Sequence, residues 1–311
     1  MGKLRFGRVT VETSNEDKIF FPDDKITKGD LIEYYKRIAE TMLPHVKDRP
    51  LTMKRFPDGI DGESFFQKEI GDYFPDWIER TTVKKEGGTV THVICNNAAT
   101  LVYLANQASI EPHMWLSKKD RLNHPDQLII DLDPAGQDFD SVRFAARATR
   151  ELFEALDLKS FVKTTGSRGA HVLVPLDRSV NFDTVRAFAR DAARLLVARH
   201  PDKLTIETRK AKRRGRLLLD TARNGYAQTA IAPYAVRANP GAPVATPLDW
   251  DELGGAKLDA QRYNIKNIFQ RLSKKSDPWK QVPRLGRSLD DARERLDEML
   301  REEASRRNSA Y

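Results

Sequence analysis

An α/β fold of the α+β kind, with a mixed or antiparallel central sheet flanked by helices, is what this sequence predicts. Three observations point to it. From Gln127 the apolar patterns run strand, helix, two strands, helix and then further short strands. The two middle strands lie within Phe161-Val162-Lys163-Thr164-Thr165-Gly166-Ser167-Arg168-Gly169-Ala170-His171-Val172-Leu173-Val174-Pro175 and are joined by a tight Gly-Ser-Arg-Gly turn, which makes them antiparallel. A helix follows the strand that ends in Asp131-Leu132-Asp133, so the sheet is mixed rather than all parallel.

Element by element, the N-terminal stretch to residue 120 is of mixed α/β character. Thr27 followed by Asp30 reads as a capping box opening a helix through Met42, with Leu31, Tyr35, Ile38 and Met42 on one face. A second helix follows Asn97 and carries Leu101, Leu104 and Ala105. Residues 51–56, 64–67 and 89–95 read as short strands or extended loops. In the second stretch, 121–311, helices are expected over about 139–156 and 182–199, and strands over 127–133, 161–175, 204–207 and 216–220. Beyond Pro247 the chain reads as largely helical and highly charged, with Tyr263, Ile265, Ile268 and Leu272 as an apolar stripe. A last helix from about Leu289 turns Leu289, Ala292, Leu296 and Leu300 inward and ends in a fraying basic tail. With no internal repeat and no long linker, the two stretches are expected to form one unit.

The 311 residues are enough for a substantial core. A formal charge of +8 tilts the chain toward a polyanionic partner, although many basic proteins bind no nucleic acid. The single cysteine, Cys95, excludes an internal disulfide framework and a cysteine-based zinc site. With no N-terminal apolar h-region and no long apolar stretch, the chain reads as cytoplasmic, associated with the nucleoid and not with a membrane.

The chemistry is concentrated in three segments. Asp131 and Asp133 lie one residue apart on a strand and so project the same way. Side by side they repel unless something positive sits between them, and a hard divalent ion such as Mg²⁺ is the usual answer. The same pair also occurs at solvated strand ends before a turn, and Pro134 announces a turn. Arg216-Leu217-Leu218-Leu219-Asp220 repeats the pattern of an apolar strand ending in one acid, so a neighbouring strand brings a third carboxylate to the pair. Between them lies the glycine turn. Gly166 and Gly169 allow close backbone approach and offer amide donors to phosphate oxygens, and Thr165, Ser167, Arg168 and His171 add side-chain donors. An ordinary hairpin with a basic tip has the same composition, and no P-loop is present. His171 alone also fits a half-buried, hydrogen-bonded histidine. Phe65 and Phe66 are adjacent, so in a strand one faces the core and the other is left for base stacking. The run from Arg209 to Arg216 is dense enough to contact a phosphate backbone, and is equally readable as a solvated loop.

Together these segments resemble the polymerase module that is fused to DNA ligase D in bacterial and archaeal non-homologous end joining, a branch of the archaeo-eukaryotic primase superfamily. The resemblance runs from Asp17-Lys18 to about Leu285. It rests on Asp131-Leu132-Asp133-Pro134, Thr165-Gly166-Ser167-Arg168-Gly169-Ala170-His171, Leu219-Asp220 and Ala232-Pro233-Tyr234-Ala235-Val236-Arg237-Ala238. Arg49-Pro50-Leu51-Thr52-Met53-Lys54-Arg55, Ser64-Phe65-Phe66-Gln67-Lys68, Glu111-Pro112-His113 and Thr246-Pro247-Leu248-Asp249-Trp250 add to it.

The resemblance implies a primase-like catalytic core and a template-dependent nucleotidyltransferase that adds NTPs or dNTPs, ribonucleotides preferentially, at gaps and broken DNA ends. Asp131, Asp133 and Asp220 would hold two Mn²⁺ or Mg²⁺ ions. Thr165, Ser167, Arg168, His171, Gln228 and Arg237 would bind the nucleotide, with His113 near its sugar and Lys54 close by. Phe65 and Phe66 would stack on the template base. Lys18 and Lys28, as lone lysines ordinary solvated residues, match positions that grip a recessed 5′-phosphate. The first stretch would thus carry the DNA-end and template contacts. The implied partners are DNA with gaps, overhangs or double-strand breaks carrying a 5′-phosphate, and Ku and an ATP-dependent ligase acting in trans. The family usually has lysine where Arg168 stands and serine where Thr165 stands. Both changes keep a cation or a hydroxyl, although arginine's planar fork is not a point charge. No ligase or phosphoesterase signature is present, and a start at Met1 favours a stand-alone protein over an excised module. A two-metal nuclease or phosphoesterase would use the same acids without a triphosphate grip, a primer-synthesising primase would share the site, and a silent nucleic-acid-binding module would need no acids.

Overall fold

Two antiparallel-rich sheets, one in each of two units, carry the candidate residues in a computed structural model that describes residues 2–308. The first unit comprises the chain up to Asp120 together with Thr229–Thr246 and Gln261–Asp277. The second comprises Arg121–Gln228, Pro247–Ala260 and the chain from Pro278 onward. The chain therefore returns twice to its first unit, with segments that lie within residues 121–311.

In the first unit the sheet order is Thr229–Ile231, Ser109–Trp115, Pro50–Arg55, Gly88–Ile94, Arg80–Lys85, and Phe65–Gln67 also pairs with Pro50–Arg55. The helix Lys28–Val46 begins where its capping box dictates. Thr27 Oγ1 accepts from the Asp30 amide at 3.1 Å, and the Thr27 amide donates to Asp30 Oδ2 at 2.8 Å. Leu31, Tyr35, Ile38 and Met42 are all buried. The helix runs past its expected end and carries Pro44, because burial of Val46 and the 2.8 Å contact of His45 Nε2 with Asp277 Oδ2 outweigh one lost backbone bond. A second helix, Ala98–Asn106, packs on it, capped by Asn97, whose side chain accepts from the Thr100 amide at 2.8 Å. Five strands had no clear sequence signal. Ser109–Trp115 is buried at all but one position and so lacks alternation; the others are Arg80–Lys85, Thr229–Ile231 and the N-terminal hairpin Gly2–Phe6 with Val9–Thr13.

In the second unit the order is Leu204–Thr205, Leu217–Asp220, Gln127–Asp133, Ala170–Pro175, Phe161–Thr164, Pro247–Leu248, and only the first pair is parallel. The mixed sheet is thus observed. Helices Phe139–Ala155 and Phe182–Arg199 start at Asp138 and Asn181, each of which caps its first turn. The stretch after Pro247 is less helical than its composition suggested. Pro247–Leu248 is a strand, Trp250–Gly254 and Val282–Arg284 are short 3₁₀ helices, and in the first unit Tyr263 and Ile265 precede a helix of only seven residues, Ile268–Lys274. Apolar periodicity there reflects packing of irregular chain, which a helical pattern does not distinguish. The last helix, Asp290–Asn308, buries Ala292 and Leu296 but leaves Leu300 half-exposed, and Arg293 pairs with Asp191 at 2.9 Å. Among the described residues no helix is long and apolar enough to cross a membrane.

Candidate active site

Strand register gathers the acids of the second unit. Asp131 lies directly across from Asp220 on one side and from His171 on the other, and His171 lies across from Lys163. Residues opposite one another in an antiparallel ladder project to the same face, and Asp133, two residues on, joins them. Lys163, His171, Asp131 and Asp220 therefore form one lateral row. Facing carboxylates destabilise a sheet, so counter-charges are required. They come from arginines: Arg223 Nε sits 3.3 Å from Asp131 Oδ2, and Asp133 is held by Arg213 Nη1 at 2.8 Å and Arg168 Nη2 at 3.2 Å. Asp220 Oδ1 accepts from the Ala222 amide at 2.8 Å.

Electrostatics follow from burial. Desolvation would raise the pKa of Asp131, but His171 and the Arg223 guanidinium overcome it and hold the carboxyl well below the usual range. Burial, reinforced by Lys163, pushes His171 down to about 4 against the pull of Asp131, so its imidazole is neutral near pH 7. Its Nε2 lies 3.5 Å from Asp131 Oδ1.

The glycine turn is closed by Thr165. Its hydroxyl donates to the Gly169 carbonyl at 3.1 Å and accepts from the amides of Ser167 and Gly169, each at 3.3 Å. Thr165 is buried, Ser167 half-buried and Arg168 exposed at the tip. Gly166 has φ +67°, where glycine is favoured. Gly169 has a different constraint: a Cβ there would lie 1.9 Å from the Leu132 carbonyl oxygen, so only glycine lets the turn lie against the strand between the two aspartates.

A divalent ion fits the donor set, because three carboxylates on one sheet face are hard oxygen ligands. Among the described residues, however, no group of three or more His, Cys, Asp or Glu side chains is drawn together as a ready-made metal cluster. The reason is visible in the ion pairs. The positive charge that the pair requires is supplied here by arginines, onto which Asp131 and Asp133 are turned.

The first unit builds its own charged face. Lys54 lies across from Glu111 on one side and from Phe66 on the other, and His113 is two residues beyond Glu111. Glu111 is buried. Its Oε1 accepts from Arg237 Nε and the Ala238 amide, both at 2.9 Å, while Oε2 lies 3.4 Å from His113 Nε2 and 3.7 Å from Lys54 Nζ. Burial opposes ionisation of Glu111, but His113, Arg237 and the Ala238 amide together hold its pKa far below the ordinary value. Phe65 and Phe66 depart from expectation: neither is in the core, and they are 47% and 58% exposed. Their strand pairs only with Pro50–Arg55, and cations cover the rings instead, Arg55 at 5.5 Å from the Phe65 centroid and Lys54 at 5.7 Å from that of Phe66. The Phe66 ring meets His113 edge-on at 5.6 Å.

Ile19–Phe21 is a strand paired with Ile26–Thr27. This hairpin returns Lys28 beside Lys18, the Lys28 amide donating to the Lys18 carbonyl at 2.8 Å. Lys18 Nζ meets Asp58 at 2.6 Å, and Lys28, buried, donates to the Ser14 carbonyl at 2.6 Å. Burial, then the neighbouring Lys18 and Arg55 charges, lower the Lys28 pKa despite Glu16. Gln228 is exposed in the second unit, in the loop after Asp220.

Sequence reasoning gave no role to Arg223 or Glu111 and did not separate Arg213 from its basic run. In that run Arg213 is buried on Asp133, whereas Arg209, Lys210, Lys212 and Arg214 are exposed. Arg223 is set by Asn224, which is buried and exchanges two hydrogen bonds with Ile129, its Oδ1 accepting at 2.8 Å and its Nδ2 donating at 2.7 Å. The place of Glu111 at the head of the Glu111-Pro112-His113 motif was the one available signal.

A mixed sheet bearing an acid row, with a glycine turn seated against it, is the architecture of a nucleotidyltransferase of the primase-polymerase class. The chain belongs to the LigD primase-polymerase domain family, whose family model matches residues 27–279. It is 34% identical over 279 residues to the multifunctional non-homologous end joining protein LigD of Mycolicibacterium smegmatis, covering 89% of this chain and 36% of that protein. It is 32% identical over 266 residues to the bifunctional non-homologous end joining protein LigD of Bacillus subtilis, covering 85% and 42%. The chain thus spans well under half the length of these relatives. Among solved structures, the polymerase domain of Mycobacterium tuberculosis ligase D in complex with DNA superposes with a TM-score of 0.82 at 32% identity, covering 88% of this chain and 98% of that one.

Gly169→Ala tests the close approach. The added methyl must displace the turn or the strand, at an overpacking cost of about 1–3 kcal/mol or more. The variant should unfold at lower denaturant and lose nucleotide addition, while Gly136→Ala, where a Cβ meets nothing within 4 Å, should do neither.

Proposed function

We propose that this chain is a template-dependent polymerase that adds nucleotides, ribonucleotides preferentially, at gaps and broken DNA ends during non-homologous end joining. The observation that carries the reading is the register that sets Asp131 across from Asp220 with Asp133 on the same face. Asp131, Asp133 and Asp220 would hold Mn²⁺ or Mg²⁺, and bound ions of this kind orient the attacking hydroxyl and neutralise the leaving phosphate oxygens. The protein's own groups do the rest. Arg168 at the turn tip and Arg237 are each a triphosphate ligand, for which an arginine fork is suited. Thr165 acts by closing the turn rather than as an outer donor. His171, neutral, supports Asp131. His113 reads the sugar, Ser167 and Gln228 assist at the nucleotide, and Lys54 holds the Phe66 ring, which with Phe65 stacks on the template base. Lys18 and Lys28 bind a 5′-phosphate, and Ku and a ligase act in trans. A nuclease reading lacks a use for Arg168 and Arg237 together.

Asp131→Asn, Asp133→Asn or Asp220→Asn should abolish primer extension on gapped DNA while DNA binding persists. Because Asp133 neutralises buried Arg213, Asp133→Ala should also be less stable than Asp220→Ala, by about 1–3 kcal/mol in chemical denaturation. Extension by the Asp131→Asn, Asp133→Asn double variant at even a tenth of the wild-type rate would remove the metal assignment.

Ribonucleotides should be incorporated more efficiently than deoxynucleotides, since leaving a buried polar partner unpaired costs roughly 1–3 kcal/mol, about 5- to 150-fold. Side-by-side kcat/KM values decide it, and equal values would remove the role of His113.

Gapped DNA carrying a 5′-phosphate should bind more tightly than the unphosphorylated form. Lys18→Ala, Lys28→Ala should weaken the phosphorylated DNA by about tenfold or more, with little effect on the other. Fluorescence anisotropy at fixed salt measures this, and equal affinities in wild type would remove the role of Lys18 and Lys28.

A further inference from the structure

We infer that Glu111 is the positioning residue of the nucleotide-reading face: one buried carboxylate holds Arg237, His113 and Lys54 in register. This rests on the polymerase reading above, in which those three groups contact the sugar, the triphosphate and the template aromatic.

The geometry is asymmetric in a way that a simple ion pair is not. Oε1 is used by Arg237 Nε and by the amide of the next residue, Ala238, so it fixes the backbone direction of the segment that carries Arg237 as well as the guanidinium. Oε2 faces His113 Nε2 at 3.4 Å and Lys54 Nζ at 3.7 Å. A proton on Nε2 is therefore favoured, which selects one His113 tautomer. Three cationic or polar side chains and one amide converge on a group whose side chain is only 3% exposed. A surface ion pair would contribute little; a desolvated carboxylate with several donors orders all of them.

The frame beneath is rigid. Tyr35, fully buried, donates its hydroxyl to the Ile110 carbonyl at 2.7 Å and accepts from the Val236 amide at 3.0 Å, so one phenol joins the residue before Glu111 to the residue before Arg237. Tyr34 donates to the Tyr234 carbonyl at 2.6 Å, and Tyr234, at φ +64°, donates to Asp277 at 2.7 Å. Glu111 is the member of this assembly that meets the candidate nucleotide ligands.

The test uses the full chain on gapped DNA. In Glu111→Gln an amide of the same shape replaces the charge, and its NH₂ opposes either His113 or Arg237. KM for nucleotides should rise by about tenfold or more, the loss expected for one charge-assisted hydrogen bond. The ribonucleotide preference should fall to within about twofold of unity, because a disoriented His113 no longer separates the two sugars. A purely structural loss would lower kcat for both sugars alike and leave the ratio intact. Glu111→Asp keeps the charge and shortens the reach; it should retain part of the ratio, and it gives the same reading if the amide variant is insoluble. Wild-type KM and ratio in both variants, or a uniform fall in kcat at unchanged ratio, would overturn the assignment of Glu111. Absence of any ribonucleotide preference in wild type would instead overturn the His113 reading on which the ratio depends, and the KM effect through Arg237 would then decide Glu111 alone.

Discussion

Placing acids opposite one another on a sheet is the constraint on which the second unit depends. The ladder that pairs Asp131 with Asp220 also pairs it with His171, so four strands present ionisable groups in one row. A sheet tolerates this only if each charge has a partner, and two of the partners come from irregular chain next to the row. Arg223 lies in the 3₁₀ turn Ala222–Asn224 and Arg213 just after the turn Lys210–Lys212. Asn224 anchors the first by taking the backbone groups of Ile129, which the short strand Leu217–Asp220 does not reach. The apolar strands beneath are thereby tied to the charge arrangement above them.

The close seat of the glycine turn follows from the same geometry. Ala170 pairs with Leu132, so the residue before it passes over the Leu132 carbonyl, and no side chain fits there. Thr165 then satisfies the turn internally, which leaves Arg168 as the tip's outward cation. Threonine and serine are interchangeable in that closing role because each offers one hydroxyl. Lysine and arginine at the tip are not, since the guanidinium reaches Asp133 and can engage a phosphate with its other nitrogens.

The first unit solves a similar problem with the opposite sign. Here cations outnumber acids, and one carboxylate compensates Lys54 and Arg237 while also facing the His113 ring. Two exposed phenylalanines on a short, peripheral strand are a feature that stability alone disfavours, and cations lying over both rings make them compatible with water. Membership in the LigD primase-polymerase family gives both faces a common context.

Much of this was written in the sequence. The capping box at Thr27, the helix Phe182–Arg199, the strand ending at Asp133, the glycine hairpin and the third acid at Asp220 are local signals, because caps, periodicity and turn glycines act over a few residues. The candidate acids, the turn residues and His113 were legible for that reason and through their motifs. What only the tertiary structure decided is which charges meet. Arg223 and Arg213 look like any surface arginine in the chain, Glu111 like a spacer before a histidine, and one of Phe65 and Phe66 like a core residue. Their roles depend on strand register and on contacts between segments up to 127 residues apart, such as Glu111 with the Ala238 amide. Local pattern carries no information about such pairings, because burial and counter-charge are properties of the folded sheet rather than of the residues beside them in sequence.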